Sequence, residues 1–105
     1  MNPDEMQQMM QRAQEMQTRM GELQNELSAR RFDATSGGGM VQASVSGALR
    51  VLSIEIEPSL ISGGDQPMLQ DLIAAAVNAA LAKAQEGVQK ELAQLQQSML
   101  TGLGT

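Results

Sequence analysis

The chain has no cysteine, no histidine, no tryptophan and no tyrosine, and its one aromatic residue is Phe32. Without cysteine there is no disulfide framework and no thiol nucleophile, which fits a reducing, cytoplasmic setting. Without histidine the commonest general base and the commonest metal ligand are missing. Without aromatics the core must be built from Met, Leu, Ile, Val and Ala. The nine methionines make such a core plastic and modest in buried area. Positive charge is also scarce. Seven Lys and Arg stand against twelve Asp and Glu, a formal net charge of −5. Residues 1–31 carry five acids and four bases, residues 32–64 three and one, residues 65–105 four and two. No segment is a basic domain, so any nucleic-acid contact is confined to local patches, because phosphate neutralisation supplies most of such affinity. Long apolar runs are absent as well. The longest, Leu72 to Ala82, contains Asn78 and is too short to span a bilayer. The start, MNPDEMQQMM, has neither a basic n-region nor an apolar h-region, so no signal peptide is expected. A chain of 105 residues makes one domain, 1–105.

The stretch MVQASVSGALRVLSIEIEP, residues 40–58, reads as a β-hairpin around which the rest is organised. Val41, Ala43 and Val45 alternate along one run; Leu52, Ile54 and Ile56 alternate along the other. A two-residue type II′ turn at Gly47-Ala48 would place glycine where φ must be positive. That turn predicts Val41 opposite Ile54 and Ala43 opposite Leu52 on the apolar face. On the other face it pairs Met40 with Glu55, Gln42 with Ser53 and Ser44 with Val51. Pro58 closes the second strand, because proline cannot donate to a ladder. Arg31 to Ser36 is expected to form a first strand, so that the sheet spans 31–57. Ser36-Gly37-Gly38-Gly39 is a hairpin connection. It lacks the Lys-Ser/Thr ending of a phosphate-binding loop and leads into a strand rather than a helix.

Two long helices flank the sheet. The first spans 3–30, with Asn2 as N-cap, Pro3 at the first helical position and Asp4 and Glu5 suited to the helix dipole. Met6, Met9, Ala13, Met16, Met20, Leu23 and Leu27 recur at steps of 3, 4, 3, 4, 3 and 4. That period of 3.5 is a heptad seam. Glutamines fill much of the remainder. Ser59 to Gly64 reads as a loop, and Asp65 caps a second helix spanning 66–98. Its broad apolar stripe is Leu69, Leu72, Ile73, Ala76, Val77, Ala80, Leu81 and Ala84. Beyond Gly87 the stripe narrows to Val88, Leu92, Leu95 and Met99. Residues 99–105 are expected to form a flexible tail.

Lengths extend the reading. Helices of about 28 and 30 residues are roughly 42 and 45 Å long. A strand of seven to nine residues spans only about 23–30 Å. Both helices must overhang the sheet, and the overhanging parts carry the narrow apolar stripes. The fold class is therefore α+β, in the order α-β-β-β-α. A small antiparallel sheet is packed by two long helices that protrude as arms in a homodimer. Met9, Met16, Met20, Leu23, Leu92 and Leu95 are the expected dimer interface.

AQEMQTRMGELQNEL (13–27), SGGGMVQASVSGALRVLSIEIEPSLI (36–61) and MLQDLIAAAVNAALAKAQE (68–86) together resemble the YbaB/EbfC family of bacterial nucleoid-associated proteins. The resemblance covers nearly the whole chain in order and spacing. It implies the same α-β-β-β-α fold, a homodimer with protruding arms, and DNA binding that shapes the nucleoid. The chain departs from the family's usual pattern at Ile56-Glu57-Pro58 and at Gln42-Ala43.

No catalytic constellation is present, and no cofactor, metal, membrane or small-molecule substrate is expected. Glu55 and Glu57 share a strand face, but no third ligand or histidine accompanies them. An enzyme is not expected. Two function classes remain. The first is binding of duplex DNA in the cytoplasm, at the nucleoid. Its candidate phosphate contacts are Arg12 and Arg19, one heptad apart on the first helix, Arg30 and Arg31 at its end, and Lys83 and Lys90 on the second helix. The second is a protein-binding or chaperone-like clamp with Met- and Gln-rich arms. Salt dependence separates the two.

Overall fold

The N-terminal helix starts where its side chains can satisfy orphan backbone donors. Asn2 Oδ1 accepts from the Glu5 N–H at 2.8 Å, and Pro3 occupies the first helical position. The computed structural model describes residues 2–103. Helix α1 (Pro3–Ala29) leads into strands β1 (Arg31–Ser36), β2 (Val41–Ser46) and β3 (Val51–Ile56). The short helix α2 (Pro58–Ser62) and the long helix α3 (Gln66–Leu103) follow. This is the expected α-β-β-β-α order, with two differences. One helical turn, α2, occupies the segment read as a loop, because Pro58 presets φ at its first position. Helix α3 runs past residue 98 to Leu103, through most of the expected tail; residues 104 and 105 lie outside the described residues. Asp65 caps α3 as expected, its Oδ1 accepting from the Met68 N–H at 3.1 Å.

The sheet is antiparallel in the order β1-β2-β3. Its hairpin register differs from the sequence expectation. Val41 pairs with Ile56, Gln42 with Glu55, Ala43 with Ile54, Ser44 with Ser53 and Val45 with Val51. Two features each add one residue. The β2–β3 connection holds three residues, Gly47 to Leu49, closed by the Ser46 N–H donating to the Arg50 carbonyl at 2.8 Å. A bulge then interrupts the ladder at Ser44/Val45, leaving Leu52 as the extra residue of β3. The left-handed residue is Leu49, at φ 63°, and Gly47 is not in that region. The expected type II′ turn is therefore replaced by a longer one. Beyond the bulge the total shift is two residues, so Ser53 to Ile56 keep the faces assigned to them. Val51, expected opposite Ser44 on the polar face, pairs with Val45 on the apolar one, because only the turn's extra residue precedes it.

Glycine is nevertheless required at position 47. A Cβ there would lie 1.7 Å from the Leu27 carbonyl oxygen, because the end of α1 is seated directly on the hairpin tip. The Gly47 N–H donates to the Arg30 carbonyl at 2.9 Å, and Leu27 is buried beside it.

Helix α3 crosses β1 and β2 on one face of the sheet. Val41, Ala43 and Val45 meet Ala76, Ala80 and Ala84, and all six are fully buried. Alanines bring the helix close to the strands. Leu69, Leu72, Ile73, Val77 and Leu81 pack around them, which accounts for the whole predicted stripe. Phe32 sits on Gly87, where a Cβ would come within 2.6 Å of its ring. The Ser36 hydroxyl donates to the Leu72 carbonyl at 2.6 Å, so α3 runs antiparallel to β1. Strand β3 extends beyond this cover. Val51, Leu52 and Ile54 are 48%, 54% and 40% exposed and form an apolar shelf beside α3. The opposite face is polar, with Arg31, Asp33 and Thr35 alongside Gln42, Ser44 and Ser46.

Both long helices project from the same end of the sheet. Helix α1 meets it at Arg31, and α3 leaves it where Gly87 lies on Phe32 and Glu91 pairs with Arg30. The molecule measures 75 × 20 × 15 Å, with a radius of gyration of 21.0 Å. A compact chain of this size would have a radius near 13 Å. Arg30 and Glu91 join the two projecting helices at their roots. Met16, Met20 and Leu23 on α1 are half-buried, as are Val88, Leu92, Leu95 and Met99 on α3. Towards the tip of α1 the seam is bare: Met6 and Met9, with Met10 beside them, are more than half exposed.

Candidate functional site

Seven bases carry all the positive side-chain charge, and their placement follows from the topology. Arg12 and Arg19 lie one heptad apart on α1, hence on one face of the arm, and both are exposed. Glu15 lies within a turn of each, yet neither arginine takes part in an ion pair among the described residues. Arg30 and Arg31 stand where α1 meets the sheet. Arg30 Nη1 contacts Glu91 Oε1 at 3.2 Å, joining the root of one arm to the other. Arg31 Nε contacts Asp33 Oδ1 at 3.0 Å, and its Nη2 donates to the Ser44 hydroxyl at 2.7 Å. Lys83 Nζ donates to the Asp33 carbonyl oxygen at 3.1 Å. Lys90 is exposed and in no ion pair among the described residues. The Ser44 hydroxyl, and after it the Arg31 guanidinium, hold the Asp33 carboxyl below its ordinary range, so it remains a carboxylate at neutral pH. The six candidates thus divide. Arg12, Arg19 and Lys90 are open to an anion, whereas Arg30, Arg31 and Lys83 are tied to neighbours on the protein. The two ion pairs are 40–55% exposed, and such surface pairs are worth about 0–1 kcal/mol, so a phosphate can replace them.

The seventh base, Arg50, is not among the six sequence candidates, which lie on the two long helices or at the end of the first. It follows Leu49 on the hairpin tip and is exposed. The signal that could have found it is the hairpin itself, since a base at the tip of a two-stranded ribbon is presented to solvent. Acids are segregated in the other direction. From Val51 to Ala82 there is no base, while Glu55, Glu57, Asp65 and Asp71 gather at the end of the sheet far from the arms. Glu55 and Glu57 border a depression with Gly38, Gly39 and Gln42. Among the described residues no three of His, Cys, Asp and Glu stand together so as to hold a metal ion. No helix among them is long and apolar enough to cross a membrane.

The expected dimer residues lie on the arms. Met9 is 57% exposed, while Met16, Met20, Leu23, Leu92 and Leu95 are half-buried.

Known proteins are similar to this chain. A nucleoid-associated protein of Pelotomaculum thermopropionicum is 44% identical over 90 residues, covering 86% of each chain. One from Alkaliphilus metalliredigens is 45% identical over 84 residues, covering 80% of this chain and 74% of its own. The crystal structure of uncharacterized protein HP0035 from Helicobacter pylori superposes with a TM-score of 0.61 at 26% identity, over 77% of this chain and 93% of that one. The fold and the relatives agree with a match that runs along residues 1–99, and on these grounds the chain belongs to the YbaB/EbfC DNA-binding family.

Proposed function

We propose that the protein binds duplex DNA as a homodimer, through phosphates and with little sequence preference. Binding alters the conformation of the DNA and contributes to nucleoid organisation in the cytoplasm, with effects on gene expression. The observation that carries this reading is the pair Arg12 and Arg19, exposed, in no ion pair among the described residues and one heptad apart on a projecting arm. Such a pair suits a backbone that offers charge at regular intervals. No short recognition helix stands against a basic flank, so base reading is not expected. The acidic far end favours approach from the arms alone.

A second copy explains the uncovered apolar surface. The shelf of Val51, Leu52 and Ile54 adjoins α3 in the sheet body, and Met6, Met9 and Met10 lie bare on the arm. A monomer would leave both wet. Covering them adds the β3 shelf to the arm residues Met9, Met16, Met20, Leu23, Leu92 and Leu95. Ile54→Glu is expected to convert a stable dimer into the 11.2 kDa monomer, as read by light scattering. A folded wild-type monomer at micromolar concentration would refute the dimer.

The function is tested by titrating DNA binding with salt. If four arginines of a dimer neutralise about four phosphates, log affinity should fall against log salt with a slope near about −3.6. Affinity near physiological salt should be micromolar or weaker. The exposed methionines at the arm tip favour a second reading, a clamp for apolar polypeptide. Binding to an unfolded polypeptide that is insensitive to salt, with no salt-sensitive binding of DNA, would establish the clamp instead.

A further inference from the structure

Arg50 and the adjacent pair Arg30 and Arg31, from two separate parts of the chain, converge on one turn. Arg31 pairs with Ser46 across the β1–β2 ladder. The Ser46 N–H donates to the Arg50 carbonyl at 2.8 Å, and the Gly47 N–H donates to the Arg30 carbonyl at 2.9 Å. The backbones of Arg30, Arg31 and Arg50 are therefore all tied to Ser46 and Gly47. Their side chains differ in state. Arg30 is paired with Glu91 and Arg31 with Asp33, while Arg50 is exposed and in no ion pair among the described residues. The tip that carries Arg50 is braced on both sides. Leu49 borders Val88 of α3, and Gly47 lies against the last turn of α1. A braced backbone presents its guanidinium at a fixed place, which lowers the entropy lost when an anion binds.

We infer that Arg50, backed by Arg30 and Arg31, forms a second phosphate-binding point at the root of the arms. This rests on the DNA reading above. From Arg12 to Arg30 the arm spans about 27 Å, which matches roughly eight base pairs at 3.4 Å each. A duplex lying along the arm meets Arg12 and Arg19 first and the hairpin tip last. Arg50 then grips a phosphate directly. Arg30 and Arg31 join by exchanging Glu91 and Asp33 for phosphate oxygens, which guanidinium groups bind in the same forked geometry. The four acids between Val51 and Ala82 keep the duplex from passing further along the sheet.

Arg50→Ala and Arg50→Lys, each in the full-length chain, test this against wild type by salt titration on one duplex. Arg50→Ala should leave melting temperature and oligomeric mass unchanged, because its side chain is exposed and in no ion pair among the described residues. Its salt slope should be shallower by about 0.9 for each Arg50 that contacts a phosphate. Arg50→Lys should restore most of that slope, since a point charge survives. Equal affinity and slope for wild type and Arg50→Ala overturn the inference while leaving the arm arginines as the DNA contact. A wild type without salt-sensitive binding overturns this inference and the DNA reading together.

Discussion

Gly47→Ala is expected to lower the melting temperature by about 10–20 °C. The reason is the position of the added methyl group, 1.7 Å from the Leu27 carbonyl oxygen and 2.6 Å from its carbon. Neither neighbour is a flexible side chain. Both belong to the last turn of α1, which must lift off the hairpin to admit the Cβ. Lifting it strains the Gly47 N–H bond to the Arg30 carbonyl and uncovers Leu27, which is 1% exposed. Overpacking of this kind costs about 1–3 kcal/mol, and here backbone rather than side chain has to yield. For a domain of this size each kcal/mol lowers the midpoint by about 4–8 °C. Gly38→Ala is the comparison. Gly38 has φ 69° but nothing within 4 Å of its would-be Cβ, so only the local cost of a left-handed alanine applies, about 1–2 kcal/mol. Thermal unfolding of both variants separates close approach from backbone angle. A Gly47→Ala protein that melts with wild type would mean that α1 is not seated on the hairpin.

Arg12→Glu combined with Arg19→Glu is expected to abolish the gel shift of duplex DNA. In a dimer the change replaces four positive charges on the arms with four negative ones. The affinity in question is electrostatic, so repulsion on that surface removes it rather than trimming it. Folding should hardly be affected. Both positions are exposed, neither makes an ion pair among the described residues, and Glu and Arg have similar helix propensities. The new neighbours of Glu15 add like-charge repulsion of about 0.2–0.5 kcal/mol per pair. Circular dichroism and light scattering should therefore match wild type while binding is lost. Undiminished binding would remove the arms from the interface.

The chain legibly encodes its elements and faces. Asn2 and Asp65 announce the two helix starts, and both caps form. The stripe from Leu69 to Ala84 is the buried face of α3. The strand faces are also right except at Val51, which pairs with Val45 on the apolar face, although every predicted partner in the hairpin is wrong. One extra residue in the turn and one in the bulge make a slip of two, and a period of two conceals such a slip. The candidate site was legible as a set of helix arginines. Their division into open and tied groups was not, since Arg30 meets Glu91 only across 61 positions of sequence. Arg50 escaped notice because a base in a turn carries no periodic signal.

Local sequence alone therefore determined what depends on short range: capping, apolar period, the overhang of long helices beyond short strands, and the scarcity of positive charge. Tertiary structure alone decided what depends on contact between distant segments. Gly47 is needed because the end of α1 lies against it, a demand arising twenty residues away that no turn rule expresses. The left-handed position falls on Leu49, where the closing of strand against strand outweighs the intrinsic preference of a leucine backbone. The exposed β3 shelf exists because a single helix covers β1 and β2 and leaves the third strand bare. Backbone propensities act over a few residues. Steric exclusion and cover act between whichever segments the fold brings together, and only the folded chain specifies those.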